Sequence, residues 1–320
     1  MASRLSSFVR LEIFCTLSCV LVFTSCALPP REKAATVGGV SSRELAVASL
    51  VERGIEAFRS GSDDEAVALF RVAYDLAPDS LPVSRNFGTA LLQIGAFEEA
   101  DALFSELVEQ RPKDAEILFA RANARRGRQA FREALADYRR AMTMAEGLSS
   151  SNQLVAAIGR TLADTLFRVG LTAESRCVSE RVLSYASGRE DLRRHARILR
   201  SMGLYQVAKD TIQGQVSDAE LEQEPTLLFE LALAEYGLGD QEQYQRRREQ
   251  AVAAAEGNTF LREQFQMVFL LAEPSTKREM LKGRGFIESE LVFLPTELAE
   301  RWYDLTGGIG STDGTVSEGD

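Results

Sequence analysis

The chain has 320 residues, of which 45% are apolar and 26% are charged, and its formal net charge is −10. This composition is expected of a soluble folded protein with one or two ordinary domains or a single solenoid. The acidic charge disfavours nucleic acids and anionic membrane surfaces as primary partners, because both would repel the protein.

The N-terminal segment predicts an export signal followed by a lipid-anchored cysteine. Arg4 and Arg10 form a short positive region, and the apolar run Ile13–Thr24 is too short to span a bilayer. The run leads into FTSCA around Cys26, which resembles the bacterial lipobox, except that Phe23 replaces the usual Leu. The resemblance implies that Cys26 is acylated and becomes the first residue of the mature chain. Ordinary secretory cleavage nearby and an uncleaved anchor are the alternatives.

Residues 26–42 hold the lipidated cysteine and a segment rich in Pro, Gly and Ser without apolar periodicity, which we interpret as a flexible tether. In the Gram-negative version of the lipobox an Asp after the cysteine favours the inner membrane. Ala27 at this place therefore implies the outer membrane, with the protein facing the periplasm. Only Cys177 remains in the mature body, so no intramolecular disulfide is possible, and we expect Cys177 to be buried.

Residues 43–146 contain three units at a period of 34 residues. In the middle unit Phe87 and Leu91 share one face of a first helix, and Gly95 can close that helix with a positive φ. Pro112 ends the second helix. Small residues recur where the two helices cross, and they are Gly54, Gly88 and Ala122 in the first helices and Ala66, Ala100 and Ala134 in the second.

This pattern of small, aromatic and proline residues is similar to the tetratricopeptide repeat, a helix–turn–helix unit. One hairpin cannot bury its own apolar face, whereas stacked copies can. The resemblance implies an all-α fold, a right-handed α-solenoid of stacked helix hairpins with a helical C-terminal cap. It also implies a protein-binding surface, without naming the partner.

Weaker copies of the repeat occupy residues 147–257, where the spacing between small residues drifts. Residues 258–305 predict a helical cap that starts with the amphipathic helix Thr259–Ala272 and ends in a helix carrying Trp302. Residues 306–320 are rich in Gly, Ser, Thr and acidic residues, and we expect them to be disordered.

No motif predicts catalysis. His195 fits a first helix, and nothing in the sequence nominates a catalytic partner for it, so we favour a structural role. HExxH, paired CxxC and Walker motifs are all absent from the sequence. We therefore predict that the protein is not an enzyme and has no metal site and no cofactor.

In tetratricopeptide solenoids the first helix of each unit lines the concave surface, so the resemblance assigns a groove. The groove offsets place arginines among aromatic residues, and arginine forks suit carboxylates. The alternative is that these positions are ordinary solvated helix faces. The predicted groove residues are Phe58, Arg59, Arg85, Gln93, Phe119, Asn123, Arg126, Arg160, Asp164, Phe167 and Arg168.

The combined interpretation is a lipid-anchored scaffold of the bacterial envelope that helps to assemble or stabilise an envelope complex. Its partners would be envelope proteins, bound as a peptide or helix in the groove. It would contact the membrane only through the N-terminal lipid and would bind no nucleic acid. The alternative is a regulatory accessory subunit of a cell-wall hydrolase or synthase.

Overall fold

A computed structural model describes residues 42–147, 152–186 and 188–273, and the single positions 276, 280, 298, 301, 302, 304 and 305. Every regular element within these residues is helical, and no strand occurs among them. The predicted all-α fold class is confirmed. Cys26, the tether and the acidic tail lie outside the described residues, and none of the described helices has the length and apolarity needed to cross a membrane.

The chain divides into two compact units between Val169 and Gly170, inside the segment 147–257 that holds the weaker copies of the repeat. Unit 1 contains α1 (Ser42–Arg59), α2 (Asp63–Leu76), α3 (Leu81–Gln93), α4 (Phe97–Gln110), α5 (Ala115–Gly127), α6 (Phe131–Gly147) and α7 (Asn152–Arg168). Unit 2 contains α8 (Thr172–Tyr185), α9 (Arg189–Ser201), α10 (Tyr205–Gln215), α11 (Asp218–Leu221), α12 (Pro225–Leu238), α13 (Gln241–Ala254) and α14 (Thr259–Ala272). Helix hairpins stack in both units, as the sequence predicts.

A residue with positive φ follows the first helix of each hairpin. This conformation closes the helix, and glycine adopts it without the steric cost that a side chain incurs. Gln129 takes the same place after α5, at φ 62°, although it is not a glycine. The glycines in this conformation are Gly61, Gly95, Gly170, Gly203 and Gly239.

Small residues allow the helices of each hairpin to cross closely in unit 1. A Cβ atom added to Gly88 would lie 2.5 Å from Cζ of Phe104, and one added to Gly54 would lie 2.9 Å from Cζ of Phe70. Ala100, on the second helix of the middle hairpin, is completely buried. The predicted role of the small residues is therefore confirmed: any larger side chain would push the helices apart.

The first helices of unit 1 form one layer, in which α1 contacts α3, α3 contacts α5, and α5 contacts α7. We call this layer of α1, α3, α5 and α7 the inner layer. The second helices α2, α4 and α6 approach one another less closely. Unit 1 therefore curves toward the inner layer, which lines its concave side.

A network of arginines and aspartates joins the second and third hairpins. Arg121 donates two hydrogen bonds of 2.7 Å to Asp137, which is almost fully buried. Arg125 bridges Asp137 at 2.8 Å and Asp101 at 3.0 Å, and Arg128 also pairs with Asp101. Such forked contacts are geometrically specific, so they fix the register between hairpins.

Most of the core of unit 2 is a large apolar cluster to which each helix from α9 to α14 contributes. Phe229 stacks on Phe265 with ring centroids 4.3 Å apart. Leu298 and Trp302 belong to the same cluster and are buried. Residues beyond α14 therefore cover the apolar face that the last helices would otherwise expose, which is the role expected of a cap.

The expectation of a buried Cys177 is wrong, because its side chain is exposed. The buried face of α8 carries Ser175, Ser179 and Val182, spaced by four and three residues. Cys177 lies two residues from both serines, which places it on the opposite side of the helix. Cys177 lies in a helix as predicted, but on the exposed face of that helix.

Candidate protein-binding groove

All eleven predicted groove residues lie on the four helices of the inner layer. Phe58 and Arg59 end α1, and Arg85 and Gln93 belong to α3. The remaining members are Phe119, Asn123 and Arg126 on α5, and Arg160, Asp164, Phe167 and Arg168 on α7. Whether these residues bind a partner stays a prediction, and their surroundings show what each could offer.

Arg85 forms an ion pair with Glu116, which joins α3 to α5 across the inner layer. The two side chains are 31% and 41% exposed, so water reaches both. Burial lowers the pKa of the Arg85 guanidinium, Asp114 raises it, and Arg111 lowers it further. An arginine nevertheless stays protonated at neutral pH. Glu116 was not among the predicted groove residues. Its carboxylate already pairs with the Arg85 guanidinium, which the sequence analysis assigns to ligand binding.

Asn123 and Arg126 lie together on α5, beside the hydroxyl group of Tyr138 on α6. The Tyr138 hydroxyl donates a 2.7 Å hydrogen bond to Oδ1 of Asn123. Burial raises the pKa of Tyr138 to about 12, against the lowering effects of Arg126 and Thr165. Tyr138 therefore stays protonated as a donor and fixes the orientation of the Asn123 amide, whose N–H groups are then what Asn123 offers to a ligand.

The Nε atom of Arg126 is buried and has no hydrogen-bond partner in the described part of the chain. A buried donor without an acceptor costs on the order of 1–3 kcal/mol, and more when it is charged. The side chain as a whole is only half-buried, so a ligand can approach Arg126, but it reaches the Nε atom itself only if the side chain shifts. Arg126 is therefore the predicted groove residue with the clearest unmet demand for an acceptor oxygen.

The aromatic residues differ from one another in accessibility. Phe119 is 2% exposed and packs against Tyr138 with ring centroids 5.9 Å apart, and Phe167 is buried as well. Phe58 is half-buried. Of the three phenylalanines among the predicted groove residues, only Phe58 keeps a substantial exposed fraction, because Phe119 and Phe167 are buried by packing.

The other charged members lie near the edges of the inner layer. Arg59 is exposed. Its guanidinium lies 3.9 Å from the carboxylate of Glu56 on the same helix, and this distance makes a weak ion pair. Arg168 is exposed at the end of α7, while Arg160 and Asp164 are half-buried and interact with other groups of the protein. Gln93 is buried at the end of α3. The polar centre of the layer is thus formed by Arg85, Glu116, Asn123 and Arg126.

Helical spacing places the arginines of α5 on two different faces of the helix. Arg121, Arg125 and Arg128 are spaced by four and three residues, so they share the face that binds Asp101 and Asp137. Arg126 lies about 100° away from Arg125 around the helix. The spacing alone could have assigned the three paired arginines to one face, whereas their aspartate partners come from two other helices.

His195 has a serine partner that the sequence did not nominate. Its Nδ1 atom lies 2.8 Å from Oγ of Ser179, and both side chains are buried. Ser179 Oγ also donates a 2.9 Å hydrogen bond to the carbonyl oxygen of Arg176, so its single proton is used there and Nδ1–H donates to Oγ. A serine held in this way links α8 to α9 and is not activated as a nucleophile.

Comparison with known proteins identifies the repeat. Residues 57–124 match the family model of the tetratricopeptide repeat. The matched stretch runs from the end of α1 into α5, so it covers the middle hairpin, including Arg85, and the part of α5 that carries Asn123. No curated protein sequence matches the chain.

Two solved structures of bacterial proteins share the fold. A tetratricopeptide repeat protein from Parabacteroides merdae aligns with a TM-score of 0.56 and 16% identity, over 80% of this chain and 98% of the other. The protein PilF of Pseudomonas aeruginosa aligns with a TM-score of 0.53 and 13% identity, over 71% of this chain and 99% of the other. At these identities the similarity establishes the tetratricopeptide fold and no more.

Proposed function

We propose that the protein is a protein-binding scaffold whose inner layer binds an acidic or carboxylate-bearing protein segment. The observation that carries the proposal is the buried, unsatisfied Nε–H group of Arg126 beside the oriented amide of Asn123. A carboxylate accepts charge-assisted hydrogen bonds from a guanidinium, and the backbone carbonyls of a bound segment suit the amide N–H groups. Tetratricopeptide hairpins with a concave first-helix layer supply the surface on which such a segment would lie.

The affinity expected of this surface is modest. Each exposed arginine pair contributes on the order of 0.2–1 kcal/mol, whereas micromolar binding needs roughly 8 kcal/mol. Several polar contacts along one segment, together with the accessible part of Phe58, are therefore required. Because the groups remain accessible to water, the affinity should fall as the salt concentration rises.

The test uses fluorescein-labelled hexaglutamate as the probe and fluorescence anisotropy as the measurement. Arg126→Gln should weaken binding at least fivefold, because it removes the charged donor. Arg132→Gln removes the same charge from an exposed position on the second helix α6 and should leave binding nearly unchanged. Equal weakening by the two variants, or no binding of hexaglutamate by any variant, would refute the proposal.

We also propose that Cys26 anchors the scaffold to the bacterial outer membrane, where it faces the periplasm and supports assembly or stabilisation of an envelope complex. The support is the sequence FTSCA around Cys26 together with Ala27 after the cysteine. Several acyl chains hold a protein firmly, whereas one holds it weakly. Labelled palmitate should be incorporated by the wild type and not by Cys26→Ser, which should remain soluble or unprocessed. Equal membrane retention of both proteins without label would contradict the anchor.

A further inference from the structure

The ion pair between Arg85 and Glu116 lies in the same layer as the proposed ligand contacts: Glu116 is on α5, the helix that also carries Arg126, and Arg85 is on the neighbouring helix α3. Both side chains are partly exposed, so the pair can separate without leaving a fully buried charge. Glu116 offers Arg85 the same chemical group that a carboxylate-bearing ligand would offer. The ligand and Glu116 are therefore alternatives at one guanidinium.

Local structure holds Glu116 in place as an ionised carboxylate. It is the second residue of α5, where the amide groups at the helix N-terminus favour negative charge. Asp114 caps this helix by accepting hydrogen bonds from the backbone N–H groups of Glu116 and Ile117, at 3.0 Å and 3.2 Å. The cap uses the backbone of Glu116 and leaves its side chain directed to Arg85. Replacing the Glu116 carboxylate thus leaves the cap intact.

We propose that Glu116 is an internal competitor of the ligand, so that a bound segment gains Arg85 only by displacing the Glu116 carboxylate. The inference rests on the proposed function, since it concerns the same groove. It gives the groove a selectivity that arginines alone would not provide. A neutral segment cannot replace the carboxylate that Arg85 would lose, whereas an acidic one can, and penalising the wrong ligand in this way is a recognised route to specificity.

The test compares Glu116→Gln with Glu109→Gln, again using fluorescein-labelled hexaglutamate. Glu109 is exposed on the second helix α4, so its replacement changes the net charge equally while leaving the inner layer untouched. Glu116→Gln should tighten binding about fivefold, the factor that corresponds to ~1 kcal/mol for a partly exposed ion pair. Glu109→Gln should tighten it less than twofold. In the double variant Arg85→Gln/Glu116→Gln, the gain should disappear.

The outcomes separate this inference from the proposed function. If Glu116→Gln binds no better than the wild type while Arg126→Gln still weakens binding, Glu116 does not compete and the groove proposal stands. Equal tightening by Glu116→Gln and Glu109→Gln would assign the effect to net charge and also overturn the inference. Binding that appears only in Glu116→Gln would support it. If no variant binds the probe, both proposals fail together.

Discussion

Units 1 and 2 each join neighbouring first helices by an arginine–glutamate pair, and the two pairs differ in their access to water. Arg85 and Glu116 of unit 1 are about one-third exposed, whereas Arg200 and Glu230 of unit 2 are 1% and 2% exposed. Water can stabilise the separated partners of the first pair but not those of the second. The same residue types therefore form an exchangeable contact in unit 1 and a fixed structural contact in unit 2.

The difference extends to the rest of the two regions. The three hairpins of unit 1 keep a strict 34-residue period, and a charge network around Asp101 and Asp137 lies at the junction of two of them. In unit 2 the repeat length is not constant. Glu235 is buried there, with its carboxylate 3.3 Å from the ammonium group of Lys209. A regular repeat leaves groove positions open for a partner, whereas a repeat whose charges are buried uses them to fix its own packing.

The largest effect is expected from breaking the buried pair. Glu230→Ala should destabilise unit 2 by about 3–5 kcal/mol, because Arg200 would remain as a buried charge without this partner. Trp302, the only tryptophan, is buried in the unit 2 core, so its emission during urea unfolding measures this loss.

Glu116→Ala is the matched control for Glu230→Ala, since it breaks the partly exposed ion pair of unit 1. It should cost only about 0.2–1 kcal/mol, measured from the helical signal in circular dichroism during the same titration. Similar losses in the two variants would show that exposure does not distinguish the pairs.

Placing a large side chain at a helix crossing should have the next largest effect on stability. It tests whether unit 1 requires the small residue that its repeat places there. Ala100→Trp should destabilise the protein by about 1–3 kcal/mol or more, because Ala100 is fully buried where α3 and α4 cross. Ala102→Trp places the same ring on the exposed side of α4 and should change the melting temperature little. Equal melting temperatures for the two variants would show that Ala100 does not lie at the helix crossing.

Glu235 should make the stability of unit 2 depend on pH. Burial raises the pKa of its carboxyl group, and the opposing effect of Lys209 is smaller. The folded state therefore binds the proton more tightly than the unfolded state does. The resulting stability is fully present below the unfolded pKa of about 4.3 and is lost as the pH rises through the folded pKa.

Glu235→Gln should remove this dependence, because an amide is neutral at every pH and can still accept a hydrogen bond from Lys209. At pH 7 the variant should be more stable than the wild type, because a neutral amide avoids the cost of burying an ionised carboxylate. Urea titrations of both proteins at pH 5 and pH 8, followed by Trp302 emission, would measure it. A difference between the two proteins that is the same at both pH values would exclude the carboxyl group as its source.

The smallest effect is expected at Gln129, where the repeat of unit 1 departs from its own rule. Gln129 has a positive φ, while the equivalent residues Gly61 and Gly95 are glycines. Gln129→Gly should stabilise the protein by about 0.5 kcal/mol, since relief of the left-handed strain exceeds the added entropy of the unfolded chain. Gln110→Gly at the end of α4, where φ is not positive, should give no such gain, because there is no left-handed strain to relieve. Stabilisation by both changes, or by neither, would show that Gln129 is not strained.

The sequence by itself determined the hairpins. Gly95 at a positive φ, the small pair Gly88 and Ala100, and the helix end before Pro112 all follow from steric limits that act within one hairpin. The exact helix Thr259–Ala272 followed in the same way, from the spacing of its apolar residues. These features need only local dihedral angles, side-chain volumes and helical periodicity, which neighbouring residues specify.

Only the tertiary structure decided which charges are available. Glu116 pairs with Arg85, Asp137 with Arg121 over 16 residues, and Glu230 with Arg200 over 30 residues. No local pattern encodes these partners. Arg121 and Asp137 meet when α5 and α6 pack within one hairpin, whereas the other two pairs form only after hairpins have stacked. The packed structure also buries Phe119 against Tyr138 and leaves the Arg126 Nε–H group without an acceptor in the described region. The repeat thus follows from short-range sterics, whereas the candidate site depends on side-chain contacts between helices, both within the third hairpin and between neighbouring hairpins.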